Sequence, residues 1–210
     1  MARRPAHQIR AVVFDAYGTL VEITDRRRPF KQLLEQLPRE STFRQAFAQT
    51  VMSEPMDLEA AAIRFGIPLS PKTLDQLHHD LDCELASIRP FSDVIDCLHA
   101  LKQRGVKLAV CSNLAKPYAI PVQRLIPMAW DAISWSFEVG AIKPHEDIYA
   151  SACQQLGVSP CEALMVGDSE DEDYVGPLRF GMQAMRLRRG SLSLTLDTIN
   201  SLSELPNLVR

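Results

Sequence analysis

The chain has 210 residues and a net charge of −3, and nearly half of its residues are hydrophobic, as expected for a globular protein with a sizeable core. The acidic balance argues against a nucleic-acid-binding face, and no apolar run approaches the roughly 20 residues of a membrane-spanning helix. Five scattered cysteines without a Cys-x-x-Cys pair, together with an amino end that lacks the apolar part of a secretory signal, predict reduced thiols in a cytoplasmic protein.

The first part of the chain predicts one strand followed by helices. Residues 10–14 predict a buried strand, and from about Asp25 to Ile88 the pattern is helical without a convincing strand. Ser70 and Pro71 suit the N-cap and first turn of a helix, and Gly66 suits the position just after a helix. The predicted helices cover Pro29–Leu37, Thr42–Met52, a segment from Pro55 to Gly66, and a segment that begins at Pro71.

After Pro90 the pattern alternates between helices and strands. Helices are predicted over Phe91–Leu101, Pro121–Ile126 and Pro144–Leu156, and a terminal helix or turn over Leu196–Leu205. Strands are predicted over Lys107–Cys111, within Trp130–Phe137, and over Ala163–Val166 and Met182–Leu187. This alternation predicts an α/β fold with a parallel sheet and right-handed crossovers, into which residues 22–89 are inserted as a helical block.

Polar residues follow the predicted strands at several places. Asp15 ends the first strand, where a carboxylate can attack an electrophile or bind a metal. Gly18 allows the sharp turn that brings backbone amides toward an anion. Ser112 and Asn113 end a later strand and can donate hydrogen bonds to phosphoryl or carboxylate oxygens. We expect Lys143, which precedes a helix-starting proline, to supply a fixed positive charge to the same pocket.

A further strand end is strongly acidic. Asp168 ends a strand as Asp15 does, and four more acidic residues follow it up to Asp173. Carboxylates this close repel one another unless water or a cation neutralises them. Two carboxylates with a backbone carbonyl and water form the oxygen site that Mg²⁺ prefers. The sequence therefore predicts a Mg²⁺ site here, with the intervening residues as solvated loop charges: Glu170, Asp171 and Glu172.

In this order, these segments resemble the four motifs of the haloacid dehalogenase-like (HAD) hydrolase superfamily: Asp15-Ala16-Tyr17-Gly18-Thr19, Cys111-Ser112-Asn113, Lys143-Pro144, and Gly167-Asp168 through Asp173. The resemblance implies a hydrolase with a Rossmann-like three-layer core whose middle layer is a parallel sheet. The core domain would comprise residues 1–21 plus 90–210. An all-helical cap domain over residues 22–89 would be inserted after the first motif and would cover the site.

The resemblance also implies roles for individual residues. The catalytic residues would be Asp15 as the nucleophile, Lys143 and Ser112. The substrate-binding residues would be Tyr17, Thr19, Ser112 and Asn113. The metal ligands would be Asp15, the carbonyl of Tyr17, Asp168 and, through water, Asp173.

Two of the motifs point to different reactions within the superfamily. Tyr17 stands where most of its phosphatases carry a second Asp, as in its 2-haloacid dehalogenases, whereas the acidic segment after Asp168 is phosphatase-like. The dehalogenases also use an arginine of the cap. Three arginines lie early in the predicted cap without a surrounding match, and such a run predicts a solvated face: Arg26, Arg27 and Arg28.

Three hypotheses follow. The favoured one is a Mg²⁺-dependent phosphatase that acts on a small phosphorylated metabolite through an aspartyl-phosphate at Asp15. Without the second Asp it lacks general acid–base catalysis, which is typically worth about 10²- to 10⁴-fold. The alternatives are a metal-independent 2-haloacid dehalogenase with Asp15 as nucleophile, and a degenerate binding protein with weak turnover. In each case we expect a small anionic ligand and a monomer or homodimer.

Overall fold

The computed structural model of the chain describes residues 8–37, 41–190 and 197–209. Its strands are β1 (Ala11–Phe14), β2 (Val21–Ile23), β3 (Ile88–Pro90), β4 (Lys107–Ser112), β5 (Ala132–Trp135), β6 (Ala163–Gly167), β7 (Gln183–Leu187) and β8 (Thr198–Ile199). Its helices are α1 (Pro29–Glu35), α2 (Ser41–Ser53), α3 (Leu58–Arg64), α4 (Pro71–Ala86), α5 (Val94–Gln103), α6 (Ala119–Leu125), α7 (Ser136–Val139), α8 (Glu146–Leu156), α9 (Gly176–Phe180) and α10 (Leu205–Leu208).

Six of the strands form one parallel sheet in the order β5-β4-β1-β6-β7-β8. In the centre of the sheet, Val13 of β1 lies opposite Ala109 of β4 and Met165 of β6. Every residue of β1 is fully buried, as expected for a parallel strand covered on both faces. The predicted α/β fold with a parallel sheet is confirmed.

Helices cover both faces of this sheet and make three layers. Alternate residues of a strand point to opposite faces. Val12 and Phe14 of β1 therefore pack in the apolar cluster that contains α5, whereas Ala11 and Val13 pack in the cluster that contains α8. Because all six strands run in the same direction, their carboxyl ends lie at one edge of the sheet.

Helices α1 to α4 lie between β2 and β3, which pair antiparallel with each other. These helices have an apolar cluster of their own, whose buried members include Leu33, Phe47, Val51, Leu58, Leu77 and Leu81. Ser70 caps α4 as predicted, because its side chain accepts a hydrogen bond from the Thr73 N–H at 3.1 Å. The predicted domain limits, between residues 21 and 22 and between 89 and 90, fall inside β2 and β3. The division into two domains stays a prediction.

Several short elements of the structure were not predicted, among them α7, α9, β2 and β3. Neither β2 nor β3 was predicted, since each has only three residues, too few for a periodic pattern to show. The terminal segment, predicted as a helix or turn, contains β8 before a 3₁₀ turn and α10. The first residue of that prediction, Leu196, lies outside the described residues.

Two findings bear on the predictions from composition. All five cysteines are free thiols. None of the helices in the described part of the chain combines the length and the hydropathy that a membrane crossing needs.

Candidate active site

The carboxyl ends of three neighbouring strands carry the predicted site residues. Asp15 follows β1, Ser112 ends β4, and Asp168 follows β6. In the sheet, β1 lies between the other two strands. Open α/β sheets bind their ligands in the crevice outside these strand ends. The topology therefore brings together residues that are far apart in the sequence.

Lys143 is the buried cation of this edge. Its Nζ donates to Asp15 Oδ1 at 2.7 Å and to Asp173 Oδ1 at 2.6 Å, and its side chain has no exposed surface. The hydroxyl of Ser112 donates to the same Asp15 oxygen at 2.9 Å. Burial lowers the pKa of Lys143, but Asp15 and Asp173 outweigh it and hold this pKa well above its ordinary value. The ammonium group therefore stays charged between the two carboxylates.

Asn113 holds the backbone of Lys143. Its Oδ1 accepts a hydrogen bond from the Lys143 N–H at 2.7 Å, and its Nδ2 donates to the Lys143 carbonyl at 3.0 Å. Both ends of the side-chain amide are thus engaged within the protein. This geometry makes Asn113 a positioning residue for Lys143, a use that the sequence did not predict.

Three carboxylates converge beside Lys143. Asp15, Asp168 and Asp173 each offer an oxygen, and these oxygens lie within 4.8 Å of one another. Burial raises the pKa of Asp173 to about 7, and Asp15 adds to the effect while Lys143 opposes it. Burial and Asp15 also raise the pKa of Asp168. One ammonium group does not neutralise three carboxylates, and this set of hard oxygen donors fits a cation such as Mg²⁺.

Two glycines make room for these carboxylates. A Cβ atom on Gly18 would lie 2.3 Å from Asp168 Oδ2, and a Cβ atom on Gly167 would lie 2.3 Å from Asp173 Cγ. Gly18 also has a φ of +91°, a backbone angle that residues other than glycine rarely adopt. The close approach of the acidic side chains therefore depends on both glycines.

Tyr17 and Thr19 lie in the loop after β1. The Tyr17 hydroxyl donates to the Tyr118 carbonyl at 2.8 Å, and burial, assisted by Glu84 and Asp15, raises the pKa of Tyr17. Its phenol is therefore neutral and a poor proton shuttle. The Thr19 side chain is fully buried, and its hydroxyl has no hydrogen-bond partner among the residues that the structure describes.

Glu172 approaches the site, although the sequence predicted a solvated loop charge. It lies in a six-residue π-helical turn, Glu170–Val175, and is only partly exposed. Burial raises the pKa of Glu172, with Asp15 and Asp168 adding to the effect. A run of acidic residues gives no signal of which member turns inward, so sequence reasoning could not identify it.

A cavity of about 370 Å³ lies between this edge and the helical segment. Tyr17 and Asn113 contribute to its wall from the side of the sheet, and residues of α1 and α2 contribute from the other side. Most of its lining is apolar. The cavity is the space beside the site in which the rest of a substrate could lie.

The consecutive arginines of the helical segment have different contacts. Arg27 pairs with Asp25 at 3.0 Å and with Asp80 at 3.1 Å. Arg28 adopts a left-handed backbone conformation with a φ of +58°, donates its N–H to the Glu84 carboxylate, and lines the cavity. The sequence predicts a solvated face for the whole run. The structure differs, because Arg27 and Arg28 make contacts within the protein.

Comparisons with known proteins agree with this architecture. The model of the haloacid dehalogenase-like hydrolases matches residues 9–181. A glyceraldehyde 3-phosphate phosphatase of Methanopyrus kandleri is 33% identical over 202 residues, which cover 87% of this chain and 85% of that protein. An (S)-2-haloacid dehalogenase of Xanthobacter autotrophicus is 30% identical over 196 residues, with coverages of 86% and 76%. The crystal structure of a HAD phosphatase from Thermococcus onnurineus aligns with a TM-score of 0.64 at 25% identity, covering 95% of this chain and 97% of that one.

Proposed function

This chain belongs to the haloacid dehalogenase-like hydrolases, and we propose that within this family it is a Mg²⁺-dependent phosphatase acting on a small phosphorylated metabolite through an aspartyl-phosphate at Asp15. The observation that carries this choice is the convergence of three carboxylates, Asp15, Asp168 and Asp173. The dehalogenases of the superfamily need no metal, whereas a cation offsets the repulsion within this acidic cluster. The phosphatase among the relatives described above supports the same choice.

In the proposed reaction an oxygen of Asp15 attacks phosphorus in line, and the bond from phosphorus to the leaving oxygen breaks with its electron pair on that oxygen. Lys143 and Ser112 hold the attacking carboxylate and offset the negative charge of the phosphoryl oxygens. Water then hydrolyses the aspartyl-phosphate and restores Asp15.

The residues that would hold Mg²⁺ are Asp15, Asp168 and the main-chain carbonyl of Tyr17 directly, and Asp173 through water. When bound, Mg²⁺ neutralises charge on the phosphoryl oxygens. The carbonyl of Tyr17 serves as well as that of an aspartate in this role, because the metal would use only its backbone. Tyr17 in place of the second Asp therefore removes a proton donor from the site but removes no metal ligand.

Thermal melting with and without millimolar Mg²⁺ tests the metal site, and phosphate release from a panel of esters tests the reaction. We expect Mg²⁺ to raise the melting temperature of the parent, because a ligand that binds only the folded state stabilises it. Asp168→Asn should abolish this rise, whereas Asp171→Asn, which removes an exposed carboxylate of the same segment, should keep it. Asp15→Asn should abolish phosphate release. No effect of Mg²⁺ up to saturation, or no release from any ester, would overturn the proposal.

The second candidate is a 2-haloacid dehalogenase. Its support is the segment Asp15-Ala16-Tyr17-Gly18-Thr19-Leu20, the dehalogenase relative described above, and the cation that Arg28 contributes to the cavity. Asp15 would displace halide from carbon, and water would cleave the resulting ester at the Asp15 carbonyl carbon. Halide release from 2-chloropropionate that EDTA does not affect would establish this reaction in place of the first.

We also propose that residues 22–89 form a cap domain over the core of residues 1–21 and 90–210. The separate apolar cluster of α1 to α4 supports this division. A small anionic substrate, a cytoplasmic location, and a monomeric or homodimeric state are further predictions that follow from the sequence and belong to the same proposal.

A further inference from the structure

The wall of the cavity includes two residues that neighbour the proposed nucleophile or its hydroxyl partner in the chain. Tyr17 follows Asp15 by two positions, and Asn113 follows Ser112, whose hydroxyl donates to Asp15. Both Tyr17 and Asn113 line the cavity. Its volume of about 370 Å³ falls within the range of small-molecule pockets, roughly 300 to 1,000 Å³. A group attached to a phosphoryl at Asp15 can therefore extend into it.

Apolar and aromatic side chains form most of the wall. The ring of Tyr118 lies near those of Tyr17 and Phe30, with centroid distances of 5.9 and 6.2 Å. Aromatic rings favour a further ring at their edges or faces. The aliphatic and remaining aromatic part of the wall includes Ile23, Leu34, Phe47, Val51, Met52 and Leu114.

Apart from the exposed side-chain cations of Arg28 and Lys31, the polar groups of the wall have partners inside the protein. The Tyr17 hydroxyl donates to the Tyr118 carbonyl, and the Tyr118 hydroxyl donates to Glu84 Oε1, both at 2.8 Å. Glu84 Oε2 accepts from the Arg28 N–H, and the Asn113 amide is engaged at both ends as described above. The hydroxyls of a sugar or polyol would find few free partners here, and an unpartnered buried hydroxyl is unfavourable.

Tyr17 adds a second constraint, since it leaves no carboxylate at that position to protonate the leaving oxygen. A phenolate leaves more readily than an alkoxide because phenols have a pKa of about 10 and aliphatic alcohols are far more basic once ionised. Arg28 and Lys31 are the exposed cations of the lining. They attract any anionic substrate.

We propose that the substrate is the phosphate monoester of an apolar phenol, whose ring occupies this cavity. The inference rests on the proposed phosphatase function. Asp15 forms a bond to phosphorus, the bond from phosphorus to the phenolic oxygen breaks, and the electron pair stays on that oxygen, which takes a proton from water. The apolar wall thus holds the leaving group. Because a phenolate is a weak enough base to leave without a proton, the reaction does not need the missing acid.

A matched pair of esters tests the inference. 4-Ethylphenyl phosphate and 4-(hydroxymethyl)phenyl phosphate have nearly the same size and leaving oxygen, but only the second carries a hydroxyl into the cavity. We expect kcat/KM to be about 10- to 100-fold higher for the ethyl compound, the range in which an apolar pocket discriminates between such isosteres. Met52→Gln, a change of similar size on the wall, should reduce this ratio. Phe43→Gln, on the same helix and 50% exposed, should leave it unchanged.

The outcomes separate the two proposals. A ratio near one, or one that favours the hydroxymethyl compound, overturns the inference and leaves the phosphatase intact. Release from alkyl esters of the panel but not from these aryl esters also overturns the inference alone, whereas no release from any ester overturns the phosphatase. Melting with the non-hydrolysable 4-ethylbenzyl- and 4-(hydroxymethyl)benzylphosphonates then tests the cavity alone. A larger temperature rise with the ethyl compound supports the apolar assignment, and equal rises overturn it.

Discussion

Tyr17 decides how much of the hydrolase chemistry the site retains. Its hydroxyl is engaged with the Tyr118 carbonyl, and burial raises its pKa, so it neither ionises nor donates to a leaving group near neutral pH. A carboxylate at this position could protonate the leaving oxygen and then activate water. With Tyr17 at this position, the site keeps the charged groups that would stabilise the phosphoryl oxygens but lacks a group there that could transfer a proton.

We predict that Tyr17→Asp raises kcat for alkyl phosphates by about 10²-fold or more, the lower end of the typical value of general acid–base catalysis. The gain should be small for p-nitrophenyl phosphate, whose leaving group needs no proton. Tyr17→Phe is the control, because it removes the same hydroxyl without adding a carboxylate, and it should give no gain.

The steady-state rates of the parent and both variants decide between the hypotheses. A parent with almost no activity even on p-nitrophenyl phosphate, together with a strongly active Tyr17→Asp, would indicate a degenerate binding protein. A robust parental rate on alkyl phosphates that Tyr17→Asp lowers would contradict the role assigned here to the missing carboxylate.

At the level of elements, Arg189 connects the segment after β7 to the loop that follows the proposed nucleophile. Its guanidinium donates to both oxygens of Asp93, at 2.8 and 2.9 Å, and to the Thr19 carbonyl at 2.8 Å. It also lies 3.9 Å from the centre of the Phe91 ring. Asp93 in turn accepts from the Ser201 hydroxyl at 2.7 Å. One side chain thus fixes the loop after β1 against the start of α5 and the carboxyl-terminal segment.

We predict that Arg189→Ala lowers the free energy of unfolding by about 1.5 to 3 kcal/mol, the typical value of hydrogen bonds to charged groups, because it leaves Asp93 without its cation. Urea denaturation at neutral pH measures this. The matched control is Arg10→Ala, which breaks an ion pair with Glu162 of 3.1 Å in which the arginine side chain is 53% exposed. Exposed pairs contribute about 0 to 1 kcal/mol. Equal losses in the two variants would contradict the role of Arg189.

The same contacts show what the sequence could and could not predict. The strands of the parallel sheet have local sequence signals. The strands that lead to Asp15, Ser112 and Asp168 are each an apolar run that stops at a polar residue. Contacts such as that of Arg189 with Asp93, 96 positions apart, leave no such signal, because they depend on where loops meet in space.

Within the site, the sequence identified residue types better than their contacts. Asp15, Lys143 and Asp173 meet as bonded partners, whereas Asn113 binds the backbone of Lys143 instead of facing open space. The pattern of charges predicts a solvated Glu172, because it carries no signal of the π-helical turn. Propensity and periodicity describe elements, and the final direction of a loop side chain is set by packing.

Across the whole molecule, Asp173 couples stability to pH, and the proposed Mg²⁺ would act on the same carboxylate. Burial raises the pKa of this carboxyl from its ordinary 3.8 to about 7 in the fold, so the folded protein binds its proton more tightly than the unfolded chain does. Its contribution to stability is therefore fully present below about pH 4 and is lost as the pH rises through about 7. Bound Mg²⁺ reverses the penalty, because a divalent cation favours the ionised carboxylate.

We predict that the melting temperature in EDTA falls between pH 5 and pH 8 and that Mg²⁺ raises it more at pH 8 than at pH 5. Calorimetry at both pH values, with and without Mg²⁺, measures the two effects. Asp173→Asn should reduce the fall in EDTA, since the amide cannot ionise, and should weaken the response to Mg²⁺ at pH 8. An equal Mg²⁺ response at both pH values would show that the acidic cluster is already ionised at pH 5 and would contradict the raised pKa of Asp173. No Mg²⁺ response at either pH value would show that the ammonium of Lys143 suffices to hold these carboxylates without a metal, and the electrostatic argument for a phosphatase would then lose its basis.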